Sequence, residues 1–170
     1  MNGLCRTALC LGLLLAGGCH IEDHTPTGSR RDEEAVQALV SRYARTLSDR
    51  DWSGARALFW SDATYSGPML LAGGGTHQAV PIDMALGIIA RRMEGLDPAR
   101  FDVRILRSDY RQEGDLSAVW LTTRRLLPVA GSVMDGEWIE HLVLLRIDGE
   151  WRILSLAATA SPRGGAREPL

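Results

Sequence analysis

The chain has 170 residues, with 19 basic and 21 acidic side chains and a formal charge of -2, and every basic side chain is an arginine. Its three cysteines, Cys5, Cys10 and Cys19, all precede position 20. These counts exclude a lysine Schiff base, exclude thiolate catalysis or a disulfide in the domain that follows, and leave no clustered basic patch for a nucleic acid.

Residues 1–18 read as an export signal. Arg6 supplies the positive start, Ala8 to Leu15 a short apolar run, and Ala16, Gly17 and Gly18 the small residues before a cleavage point. The run is too short to span a bilayer. Because Cys19 follows directly, LLLAGGC resembles the lipobox of bacterial lipoproteins, which implies that Cys19 carries lipid and begins the mature chain. The other reading is an ordinary secretory signal followed by a chance cysteine. Lipid chains on Cys19 would hold a soluble domain against a membrane. By the same resemblance, His20 in place of aspartate implies the outer membrane, with the domain facing the periplasm.

Residues 19–31, polar and broken by Pro26 and Gly28, suit a flexible tether, and residues 161–170 suit a frayed tail. The stretch 32–160 is one domain's worth of chain. Its first element is an amphipathic helix, with Val36, Leu39, Val40, Tyr43 and Leu47 at helical spacing behind the acidic Asp32, Glu33 and Glu34. A short second helix follows Asp51, with Trp52, Ala55, Leu58 and Phe59 as its apolar positions. Next comes WSDATYSGP, where a helical pattern gives way to a strand pattern, and then a loop with Gly73, Gly74 and Gly75. Pro81 is placed to open a third helix and Gly95 to close it. Everything later reads as strand, over 101–111, 116–129, 137–147 and 151–160, with Asp148-Gly149 a tight hairpin turn. Helices followed by a meander of long strands imply an α+β domain with the helices on one face of an antiparallel sheet.

Two stretches carry a further resemblance. ALVSRYARTLSDRDWSGARALFWSDATYSGP, at 38–68, is similar to the opening of SnoaL-like and ketosteroid-isomerase-like domains of the NTF2-like superfamily, and WIEHLVLLRIDGEWRILSLAA, at 138–158, resembles their closing hairpin. The likeness implies a cystatin-like cone of three helices on a curved antiparallel sheet. That fold hosts isomerases, dehydratases, cyclases, binding modules and docking domains, so it fixes no function. Ketosteroid isomerases hold a substrate oxyanion with a tyrosine and a protonated acid, while a separate aspartate moves the proton. Carried over residue by residue, the tyrosine falls on Tyr43, the acid on Glu140, and the base on Gly67, which has no carboxylate. An enzyme of that mechanism is expected to be slow or dead, since a positioned base contributes about 100-fold to 10,000-fold.

Three other residues are candidates for a relocated base. Asp62 is nearest, although an Asx turn also explains it; Tyr65 and His77 are the others, His77 being either a lid residue or a solvated loop side chain. Glu140 shares a strand face with Trp138, Leu142 and Leu144 by alternation. In so apolar a strand it requires pairing, protonation or a wet cavity; a salt bridge to Arg124 or Arg125, or exposure at a dimer edge, are the structural alternatives. Trp120 and Trp138 either line an apolar pocket or are plain core. No metal-binding spacing occurs in the domain, and no cofactor is implied. Three functions stay open: a pocket for a small apolar or aromatic ligand, with Tyr43, Tyr65, Trp120, Trp138 and Glu140 around it; an isomerase, dehydratase or cyclase with a relocated base; and a docking or homodimerising module at the membrane.

Overall fold

The computed structural model describes residues 30–67, 79–129 and 132–161. The expected signal segment, Cys19, most of the tether, the glycine loop, His77 and the tail from 162 onward lie outside the described residues. Helix α1 spans Arg30–Ser48, α2 Trp52–Ala57 and α3 Ile82–Met93, and six strands follow the order β1 Phe59–Ser66, β2 Ala79–Pro81, β3 Asp102–Glu113, β4 Leu116–Val129, β5 Ser132–Ile147 and β6 Glu150–Ala160. The sheet runs β2-β1-β6-β5-β4-β3, and every neighbouring pair is antiparallel except β1 with β6.

The expected stripe of α1 is buried, each of Val36, Leu39, Val40, Tyr43 and Leu47 being under 5% exposed. Burial of such side chains, roughly 1.5–3 kcal/mol each, holds the helix to the sheet more firmly than its propensity does. Arg30 donates to Glu34 one turn on, so Arg30 and Arg31 belong to the helix rather than to the tether. Asp51 caps α2, accepting from the Gly54 amide at 2.8 Å. At the other limit, the Ser161 amide donates to the carbonyl of Glu137 at 2.8 Å and the residue is buried, which places it with β6 and not with the tail.

Two expectations about order are corrected. Strands β1 and β2 precede α3, so the helices do not all come first, and Phe59 begins a strand instead of completing α2. Asp62 is mid-strand in β1 instead of at a helix-to-strand turn. Its neighbours explain why the segment resisted reading: Ala63, Tyr65 and Gly67 are buried while Asp62 and Thr64 are exposed, an alternation too short and too polar to outweigh the Gly-Pro that follows. The later strands lie close to where the pattern put them. Asp148 and Gly149 both adopt positive φ, 51° and 82°, the geometry of a type I′ hairpin turn.

With no lysine in the chain, arginines stitch its elements together. Arg50 donates to the carbonyls of Leu96 and Asp97 at 2.8 Å and of Met93 at 3.2 Å, at and just beyond the end of α3, where backbone carbonyls favour a cation. Arg56 joins α2 to the carbonyls of Trp60 and Ser61 and to Asp83 in α3. Arg146 reaches Asp32 at 2.6 Å, tying the start of α1 to β5. Register shifts put an extra residue in β3, at Leu106, and in β6, at Leu154, and bend the sheet, and the helices pack on its concave side.

Candidate functional site

Inside the bend, β4 and β5 present Leu121, Thr123 and Arg125 beside Trp138, Glu140 and Leu142, all nearly or fully buried. Glu140 has no exposed surface. A carboxylate there is costly unless its oxygens are satisfied: Tyr43 Oη donates to Oε2 at 2.9 Å, Thr123 Oγ1 donates to Oε1 at 2.5 Å, and Arg125 Nη2 forms an ion pair with Oε2 at 2.6 Å. The acid is therefore paired with Arg125, the first of the structural alternatives. Arg124 points to the opposite face and pairs with Asp135. Arg125 lies opposite Gly136, where no side chain competes for space, and its guanidinium packs over Trp138 at 5.7 Å from the ring centroid.

Burial and neighbouring charge set the protonation of Tyr43 and Arg125. Burial pushes the Tyr43 phenol well above its usual value, and the charge of Glu140 pushes it further. Burial pulls the Arg125 guanidinium down, yet Glu140 and the two tyrosines outweigh that pull and the net shift is upward. Arg125 stays cationic and Tyr43 stays a phenol whose hydrogen is committed to Glu140.

Above the cluster a cavity opens between α3 and the sheet. Ile82, Ala85, Leu86 and Ile89 form its α3 wall, Phe59 and Leu156 part of the sheet side, and Tyr43, Tyr65 and Arg125 its polar lining. About 20 Å³ of it is open to the centre of a water molecule, room for roughly one water with the side chains as they stand. Glu140 and Trp138 are buried beside this cavity without lining it.

Tyr65 is 2% exposed, and its hydroxyl has no hydrogen-bond partner among the described residues. Burial raises this phenol too, partly offset by Arg125. Two residues along β1, Gly67 occupies the position that the ketosteroid-isomerase likeness assigns to the base. A β-carbon at Gly67 would come within 3.0 Å of both Tyr65 Oη and Tyr65 Cζ, so the tyrosine ring fills the space that a side chain at 67 needs.

Two expected site residues lie elsewhere. Asp62 is exposed on the outer side of β1, accepting from Ser61 at 3.3 Å. Trp120 is 54% exposed and stacks on His141, centroids 4.4 Å apart, on the sheet face away from the helices. Alternation accounts for both, since each is one step out of phase with the buried residues beside it. The α3 wall and the role of Arg125 as lining were not anticipated. An arginine in phase with Leu121 and Thr123 was the available signal.

A six-stranded, antiparallel-dominated sheet closed on one face by helices around an internal cavity is the NTF2-like, cystatin-like α+β architecture. The sequence profile of the SnoaL-like domain matches residues 29–157, and the chain belongs to that family. Similar solved structures include a protein with a cystatin-like fold from Caulobacter vibrioides, with 15% identity, TM-score 0.64 and coverage of 78% of this chain and 92% of that one. An NTF2-like protein from Pseudomonas putida has 16% identity, TM-score 0.62 and coverage of 84% and 97%. Another from Shewanella baltica has 20% identity, TM-score 0.58 and coverage of 80% and 98%. At these identities the likeness establishes the fold alone. No curated protein matches the chain.

Proposed function

We propose that this chain binds a small apolar or aromatic molecule in the cavity between α3 and the sheet, and does so while held at a membrane surface by lipid on Cys19. The observation that carries the binding half is the cavity's lining: apolar walls from α3 and the sheet, a polar edge of Tyr43, Tyr65 and Arg125, and the buried ion pair of Glu140 with Arg125 behind it.

Catalysis of the ketosteroid-isomerase type is disfavoured by the same geometry. Gly67 carries no carboxylate, Asp62 lies on the outer face of β1 away from the cavity, and Tyr43 and Tyr65 are both held protonated, so none of these four brings a base to the cavity. Glu140 accepts from Tyr43 and Thr123 and pairs with Arg125, so its oxygens face the cluster instead of an oxyanion in the cavity. Purified protein titrated with a panel of single-ring phenols and ketones should show a saturable rise in melting temperature. No rise with any of them, or ketosteroid turnover that Tyr43→Phe abolishes, would overturn the proposal.

A further inference from the structure

Resting on that binding reading, we infer that Tyr65 is the residue that hydrogen-bonds the ligand, that Gly67 exists to give its hydroxyl room, and that the ligand is an uncharged ring compound bearing one hydrogen-bond acceptor. Three observations meet at this point. First, the two tyrosines of the cavity are not equivalent: Tyr43 gives its hydrogen to Glu140 at 2.9 Å, whereas Tyr65 Oη is buried and has no partner among the described residues. A buried hydroxyl is normally paired, and one that lines a cavity finds its acceptor in what enters that cavity.

Second, the glycine two positions on is buried, and any β-carbon there would collide with the end of the Tyr65 side chain and come to 3.0 Å from the Ala158 carbonyl. The carboxylate of the ketosteroid-isomerase pattern and a tyrosine hydroxyl in this position exclude each other sterically. The polar function of this corner has passed from residue 67 to residue 65, and with it from proton acceptor to hydrogen-bond donor.

Third, charge selects the ligand's class. Arg125 and Glu140 form a buried pair of zero net charge. A carboxylate entering beside them would add an uncompensated negative charge to an apolar enclosure. A neutral carbonyl or ether oxygen accepts from Tyr65 without that cost.

The test uses three probes of one shape, acetophenone, ethylbenzene and benzoate, titrated into wild-type protein and into Tyr65→Phe by calorimetry or NMR. The expected result is that wild type favours acetophenone over ethylbenzene about fivefold to tenfold and binds benzoate most weakly. Tyr65→Phe should abolish the preference and leave ethylbenzene binding unchanged. Gly67→Ala, by displacing the hydroxyl, should abolish it likewise; because that variant also crowds backbone, the near-isosteric Tyr65→Phe decides. Equal binding of ketone and hydrocarbon, or a preference that survives Tyr65→Phe, overturns the assignment to Tyr65 and leaves the cavity reading standing. Benzoate binding tightest overturns the uncharged class. If no probe binds wild type, the cavity reading falls together with the inference.

Discussion

Tyr43 and Glu140, 97 positions apart in sequence, meet in a buried hydrogen bond of 2.9 Å in which the phenol donates. The pair expected to grip a ligand is thus turned inward: its carboxylate is shared with Thr123 and Arg125, and of the two only Tyr43 lines the cavity. The cluster is a structural floor, and its energetics are open to direct measurement.

Breaking the floor by halves should cost more than removing it whole. Arg125→Met strands a buried carboxylate, and Glu140→Leu strands a buried guanidinium; each should lower unfolding free energy by about 3–5 kcal/mol. The double variant should lose clearly less than the sum of the two. Urea unfolding of all four proteins measures the coupling, and additive losses would show that the two side chains do not interact.

The two cavity tyrosines should respond oppositely to loss of their hydroxyls. Tyr43→Phe removes one of the three partners of Glu140 and should destabilise by about 1.5–3 kcal/mol, the usual range for a hydrogen bond to a charged group. Tyr65→Phe removes a buried hydroxyl with no described partner, so stability should hold or rise by up to about 1 kcal/mol. Thermal melts of the ligand-free variants distinguish the two, and a marked loss in Tyr65→Phe would reveal a partner for that hydroxyl.

Alkaline pH should unfold the domain early. Tyr43 and Tyr65 are pushed above the ordinary phenol value of 10.0 in the fold, chiefly by burial, so above about pH 10 the unfolded chain releases protons that the native chain retains. Bound protons are then more numerous in the native state, and stability falls as pH rises, by up to about 1.4 kcal/mol per pH unit for each tyrosine. Below pH 10 both states hold these protons and the effect vanishes. Unfolding curves at intervals from pH 8 to 11 should show the decline, and Tyr43→Phe should flatten part of it; a slope unaltered by that substitution would assign the decline to other groups.

The anchor proposal concerns Cys19 alone. Cells expressing the full chain and fed an alkyne-bearing fatty acid should label the protein, and Cys19→Ser should abolish both label and membrane fractionation. Release of unlabelled wild-type protein into the soluble fraction would contradict lipidation.

Much of the fold was legible because its signals are long. The α1 stripe repeats over five buried positions, and β4 was placed at its observed limits. What the sequence hid was brief or depended on the third dimension. Strand β1 has eight residues and a polar outer face, so its end beside Gly67-Pro68 read as turn. Its parallel pairing with β6 brings Tyr65 beside Leu156 from 91 positions away, a contact that no local period encodes. Trp120 and Trp138 look alike as aromatic strand residues, yet their phase relative to Glu140 sends one to solvent and the other into the core. That Tyr43's hydroxyl is committed to Glu140 while Tyr65's finds no partner among the described residues emerges only in the assembled cluster.

Methyl-selective NMR of the isoleucines and leucines during an acetophenone titration would locate the binding site outright. A ligand seated between α3 and the sheet shifts the methyls of Ile82, Leu86, Ile89 and Leu156, which line the cavity, and leaves exposed Leu106 and Leu116 unmoved. Unchanged cavity methyls, or shifts confined to Leu106 and Leu116, would contradict an internal binding site and turn attention to the outer surface of the sheet.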